Sequence, residues 1–339
     1  MIKLKRIMLR PYALPLQIPW QSSRGNMACR RGWLVCLKTA DGHVAYGDCP
    51  PMPEAGTETA AQAWVSLQHL QRQLTGLPVV TALEEMGHVT PAARYAVETA
   101  LLELCARQRQ IPIAHLLNHA APMAISVNTV LGGLGQGGLT QVIQAVEEGF
   151  SILKFKVGLQ SVRQELDGLH QLVDSLPPNV RLRLDANRAW PLPLARQFLR
   201  EIADLPIESL EEPLQQADAD DWLGLQALVS FPLALDESLP RWQHGITAHP
   251  AQRLMLKPTV LGGLVPAFRL AQRAIDAGKE CVVTTVVDSA VGVRATAHLA
   301  TALDNGLAHG LATSSWLLKD VTQPPQIMGG MLRLNHDVS

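Results

Sequence analysis

The sequence predicts an α/β protein, a TIM-type (β/α)7β barrel joined to an α+β capping domain, and three observations predict it. After about residue 123, strand-length apolar runs recur eight times as AISVN, ILKFKV, VRLRLD, PIESLE, PLALDE, RLMLKP, CVVTT and HGLAT, spaced as strand, turn and helix would be. Most of these runs close on charged or hydroxyl side chains, and a βα barrel keeps its chemistry where its strands end. The first 120 residues have another rhythm, strands and then helices, as an α+β unit has.

Residues 1 to about 47 alternate short apolar and polar stretches, with Gly25, Gly32 and the Asp41-Gly42 turn between them, which reads as a β-meander. The proline-rich loop CPPMPEAGTE follows, and then two helical patterns, about 58–76 and 91–107. In the second, Ala93, Ala96, Val97, Ala100, Leu101 and Leu104 recur at three-and-four spacing. The domains are therefore expected at 1–122 for the cap and 123–316 for the barrel, with 317–339 returning to the cap. The glycine-rich run LGGLGQGGL is expected to be a flexible loop after the first barrel strand, because it lacks P-loop and dinucleotide-fingerprint spacing.

Composition narrows the function. Of 339 residues, 47% are hydrophobic and 17% charged, enough apolar material for a sizeable core. The net charge of -1, with both signs dispersed, leaves no basic stripe for nucleic acid and favours a small-molecule partner. Five cysteines without a Cys-x-x-Cys pair suit neither a disulfide framework nor zinc. The N-terminus breaks any signal-like run with charges and prolines, and no apolar run reaches membrane-spanning length, so a cytoplasmic enzyme without membrane insertion is expected. Among the eleven histidines there is no H-E-x-x-H pair, and no serine lies in G-x-S-x-G.

The strand ends carry the positive argument. Asp185, Glu211 and Asp236 lie 26 and 25 residues apart (185 to 211 to 236), about one βα unit each, so successive strands deliver carboxylates to one rim. Three carboxylates in register repel unless a cation joins them, and an all-oxygen set suits Mg2+, or Mn2+ in its place, better than zinc. Solvated acids in ordinary salt bridges are the alternative for any one of them, but not a natural explanation for three in register.

Lys154 and Lys156 are two apart and share one face of their strand. Their mutual repulsion is expected to lower a lysine pKa toward neutrality and create a general base. Lys257 closes a strand on the opposite side of the barrel, so a substrate over the metal would lie between Lys156 and Lys257. Removing a proton next to a carboxylate needs a Lewis acid besides the amine, and the set supplies both.

Taken together, Lys154-x-Lys156, the LRLDANRAW segment, the EEP and DES triplets and the KP step at Lys257 resemble the muconate-lactonizing branch of the enolase superfamily, over essentially the whole chain. ARYAVETALLELCARQ looks like that family's capping-domain helix. Within the branch, the compact length and the segment Arg183 to Trp190 look most like the o-succinylbenzoate synthases of menaquinone or phylloquinone biosynthesis. Dipeptide epimerases and N-succinylamino acid racemases share the ligands and lysines. The resemblance implies Asp185, Glu211 and Asp236 as Mg2+ ligands, Lys156 as base and then acid, and Lys257 as electrostatic partner. It further implies Arg183, Asn187, Thr284, Thr285 and Asp288 as substrate contacts, with cap contacts around Ser22 to Arg24 and Pro51 to Pro53. The substrate would be a small carboxylate.

Overall fold

The computed structural model describes residues 2–22, 25–134, 138–216 and 218–334. Strands β1 (Leu4–Ser22), β2 (Gly25–Thr39) and β3 (Val44–Cys49) form the expected antiparallel meander, with Ile7 opposite Leu37 and Val35 opposite Gly47. Their inward side chains, Leu4, Ile7, Val35, Leu37 and Ala45 among them, bury against α1 (Ala60–Leu74), α2 (Val79–Glu84) and α3 (Pro91–Arg109). A capping box between Thr59 and Gln62 starts α1, and Pro91 occupies the first turn of α3. The Glu58 carboxylate accepts from the Ala92 and Ala93 amides, both at 3.0 Å, which satisfies two of the orphan donors at that end. β3 and α3 touch backbone to backbone: a Cβ at Gly47 would stand 1.8 Å from the Ala96 carbonyl oxygen, so only glycine fits.

Seven parallel strands follow: β5 (Thr129–Gly133), β6 (Ile152–Lys156), β7 (Arg181–Asp185), β8 (Ile207–Glu211), β9 (Leu233–Leu235), β10 (Arg253–Leu256) and β11 (Glu280–Val283). They pair in chain order, and amphipathic helices such as Val162–Val173 and Leu192–Ile202 turn apolar faces onto them. The ring closes through HGLAT, reduced to single bridges: Gly310 pairs with Thr284 and His309 with Val127.

Two expectations change here. AISVN is divided between two sheets: β4 (Ala124–Ser126) pairs with β13 (Met331–Arg333), itself paired to β12 (Ile327–Met328), in a separate small sheet, while Val127 bridges His309 and closes the ring. The first barrel strand runs on from Val127 through Thr129–Gly133, so Leu131-Gly132-Gly133, expected in a loop, is strand. The physical reason lies in pairing: the tail offers Ala124–Ser126 a complete antiparallel ladder, whereas HGLAT is too short to give it one. The tail meets the cap where Leu317 bridges Leu16 and packs with Leu14 and Val287, and farther on it pairs with β4.

All five cysteines are free thiols. Among the described residues, no helix is long and apolar enough to cross a membrane.

Candidate active site

The register of the barrel assembles the site. Lys156, Asp185 and Glu211 are direct neighbours on β6, β7 and β8, one rung above Lys154, Arg183 and Ser209, and all six face inward. Asp236 and Lys257 follow immediately after β9 and β10. Asp185, Glu211 and Asp236 each offer a carboxylate oxygen within 4.8 Å of the others. All three are buried, and Glu211 Oε1 has no hydrogen-bond partner, so a donor set of oxygens with an unsatisfied member converges on one point. Such a set fits Mg2+.

The lysines lie against these acids. Lys154 Nζ donates to Glu211 Oε2 and stands 3.0 Å from Asp185 Oδ2. Lys257 Nζ donates to Asp236 Oδ2 at 2.7 Å. Lys156 Nζ bonds Asn187 Oδ1 and lies 3.7 Å from Asp185 Oδ2. The expected lowering of a pKa by lysine-lysine repulsion does not hold at Lys154. Burial pulls its pKa down, but Asp185 and Glu211 outweigh burial and hold it well above the ordinary lysine value. The Lys257 ammonium is raised in the same way, against burial, by Asp236 and Glu237. Burial pushes Glu211 up to about 7 against the pull of Lys154.

Two acids missed by the strand-end argument complete the rim. Glu212, in a left-handed conformation at φ 43°, turns its carboxylate to the Asp236 and Ser238 amides, both at 2.7 Å, and so fixes the turn that presents Asp236. Burial, with Glu237 nearby, pushes its pKa up to about 8. Glu237 Oε1 accepts from Asn187 Nδ2 at 2.6 Å. Both were legible in the EEP and DES triplets, whose second acids the spacing argument passed over.

One cleft gathers Lys154, Lys156, Asp185, Asn187, Asp236 and Lys257 on one side and Thr284, Thr285, Gly310 and Thr313 on the other. Met52, Glu54 and Ala55 of the cap roof it, so the 51–53 loop contributes through Met52. The expectation at Ser22 to Arg24 falls on side chains outside the described residues.

Arg183 and Asp288 are placed elsewhere. A register slip between β7 and β8 turns Glu208 inward, and its carboxylate takes the Arg183 guanidinium in a fork of 2.9 and 3.1 Å. The pair lies on the barrel floor, where Arg253 joins it, and Arg183 is fully buried beneath the cleft. Burial would raise the Glu208 pKa, but Arg183 and Arg253 reverse this and lower it to about 2. Asp288 is buried where cap meets barrel, beside Asp48, which accepts from Tyr12 at 2.6 Å and from the Ser289 amide and hydroxyl at 2.8 Å. Burial and the Asp48 charge push the Asp288 pKa up to about 7.

The floor also holds a pH-sensitive group. His309 Nδ1 accepts from the Val283 amide at 2.9 Å, and burial, helped by Arg183, lowers its pKa to about 3. The unfolded chain takes up this proton near pH 6.5 and the folded one does not, so stability present above pH 6.5 is lost as pH falls. Between pH 6.5 and 5 the loss is roughly 2 kcal/mol. His309→Asn, which keeps an acceptor for the Val283 amide, is expected to lose that much less than the parent in urea unfolding at the two pH values. Equal losses would contradict it.

Two domain models match the chain: mandelate racemase / muconate lactonizing enzyme, N-terminal domain, over residues 5–118, and enolase C-terminal domain-like over residues 139–337. The chain belongs to the enolase superfamily. Its similarity to individual superfamily members is spread over several activities. It is 29% identical to an o-succinylbenzoate synthase of Thermosynechococcus vestitus, covering 91% of this chain and 92% of that protein. It is 25% identical to a hydrophobic dipeptide epimerase of Enterococcus faecalis, covering 90% and 88%. Among solved structures, a dipeptide epimerase from Methylococcus capsulatus, complexed with Mg and a dipeptide, superposes with TM-score 0.87 at 26% identity over 98% of this chain and 97% of that one. The superfamily binds Mg2+, and the converging oxygens of Asp185, Glu211 and Asp236 fit that ion.

Proposed function

We propose that the protein is an o-succinylbenzoate synthase, dehydrating 6-hydroxy-2-succinyl-2,4-cyclohexadiene-1-carboxylate. The observation that carries this reading is the wall opposite the metal ligands. Thr284, Thr285, Val286, Val287, Gly310 and Thr313 supply hydroxyls and apolar surface there, and none of these side chains is a carboxylate. The free ammonium of a dipeptide would meet no counter-charge on that wall, the carboxylate of Glu54 belonging to the cap roof, whereas the ketone and methylenes of a succinyl tail are matched there. Similarity to two curated synthases, at 29% and 27% identity, supports the same reading.

In this mechanism Asp185, Glu211 and Asp236 would hold Mg2+, which supplies Lewis-acid stabilisation of the negative charge gathered on the substrate carboxylate. Lys156, as the free amine, takes the proton from the ring carbon that bears the carboxylate. The carbon-hydrogen electron pair then re-forms a ring double bond as the hydroxyl leaves from the neighbouring carbon on the same face. The Lys156 ammonium returns its proton to that hydroxide, so water departs and the ring becomes aromatic. Lys257, held by Asp236 across the cleft, faces the developing charge. Asn187, hydrogen-bonded to Lys156 and Glu237, fixes the position of the amine.

The same opposition of Lys156 and Lys257 also favours a second reading, two-base racemisation of an N-succinylamino acid. Proton NMR in D2O separates the two. The synthase reading expects conversion of the cyclohexadiene to product, with α-proton exchange of N-succinylamino acids much slower and none in L,L-dipeptides. Rapid dipeptide exchange without dehydration would contradict it. Lys257→Ala should impair all dehydration, whereas a racemase would lose exchange from one enantiomer only.

A further inference from the structure

Asn128 is a polar side chain of the cleft with a fixed orientation and no role in the chemistry above. It lies in the two-residue step Val127-Asn128 between β4 and β5, fully buried and lining the cleft. Its Oδ1 accepts from Arg183 Nη1 at 3.0 Å. A guanidinium only donates, so the amide cannot be flipped: the oxygen faces Arg183 and Nδ2 is left to donate. Among the described residues the recorded acceptor for Nδ2 is the Thr129 carbonyl at 3.4 Å, a long contact that leaves the second N–H unengaged. Arg183 is itself locked by its fork to Glu208, so the orientation of Asn128 is set from the barrel floor.

The geometry points to Asn128 as a specificity residue that donates a hydrogen bond to a neutral carbonyl oxygen in the substrate's tail, with Arg183 as its positioning residue. A substrate whose carboxylate meets Asp185, Glu211 and Asp236 and whose reacting carbon lies between Lys156 and Lys257 would share its cleft with Thr284, Gly310 and Asn128, which line the space left for its remainder. Thr284 Oγ1 already donates to the Gly310 carbonyl at 3.2 Å, which leaves the Asn128 amide as the ready donor in that space. The buried Arg183 charge behind the amide polarises it and strengthens its N–H. A carbonyl acceptor is therefore selected over a methylene at that position.

This inference rests on the synthase reading, whose product carries such a ketone in its tail. The test is calorimetric binding, to the Mg2+-loaded protein, of o-succinylbenzoate and of 2-(3-carboxypropyl)benzoate, which has a methylene in place of the ketone. The parent should prefer the ketone by roughly 3- to 10-fold, the range of one hydrogen bond. Asn128→Asp keeps an oxygen facing Arg183 and the side-chain shape but removes the donor, and should abolish or invert the preference with an unchanged melting temperature. Asn128→Ala should abolish it as well, and Arg183→Met should reduce it by freeing the amide. An unchanged preference in Asn128→Asp and Asn128→Ala overturns the inference while leaving the synthase reading in place. Binding of neither compound to the parent overturns both.

Discussion

Lys156→Ala is expected to lower turnover by about 1000-fold, within the 100- to 10,000-fold span of general acid-base catalysis, while Mg2+ binding and the fold persist. The size follows from the proposed double duty of one amine, which would take the ring proton and then deliver it to the departing hydroxide. Both transfers lie on one face of the substrate, and among the described residues no other amine faces the cleft from that position. Lys154 is spoken for by Glu211 and Asp185, and Lys257 by Asp236. The drop should fall on kcat more than on KM, because a positioned base acts in the transition state and adds little to ground-state binding. Single-turnover kinetics with saturating substrate measure it, with Lys156→Arg as companion. Arginine keeps the charge but cannot give up its proton and should be as inactive as alanine. A Lys156→Ala protein with near-parent turnover would exclude Lys156 as the base.

Glu211→Gln has the second large effect. Its carboxylate is fully buried in the middle of the donor set, and Oε1 has no partner within the protein. The amide preserves the shape but replaces an anionic oxygen with a neutral one or with an N–H that repels a cation. Loss of an outer-shell partner alone costs a metal site about 10- to 100-fold in affinity, so removal of a direct ligand should cost at least about 100-fold. Titration calorimetry with Mg2+ reads the loss, and activity should disappear with it at millimolar Mg2+. Unchanged Mg2+ affinity would place the ion somewhere other than among Asp185, Glu211 and Asp236.

Much of this site was legible because a parallel barrel converts spacing into proximity. Acids 26 and 25 residues apart become neighbours on one rim, and Lys154 and Lys156 share a face because strand side chains alternate. What depended on pairing partners was harder to see. Ala124–Ser126 has the apolar pattern of a barrel strand, and only the tail at Met331–Arg333 decides that it pairs outside the ring. Arg183 has the right parity to face inward, but a one-residue slip in β8 brings Glu208 to it and keeps it on the floor. Asp288 follows Thr284 and Thr285 closely in sequence, and Val287, at φ 59°, turns the chain so that Asp288 points into the cap interface. Asn128 was within reach: it closes AISVN as Asp185 closes VRLRLD, and the same strand-end argument applied to the first run finds it.

The most direct test of the synthase assignment is the loss of cyclohexadiene ultraviolet absorbance when purified protein meets 6-hydroxy-2-succinyl-2,4-cyclohexadiene-1-carboxylate. With Mg2+ present the absorbance should fall rapidly, and neither Lys156→Ala nor parent protein treated with a chelator should reproduce the fall. No loss of absorbance with Mg2+-loaded parent protein would contradict the assignment.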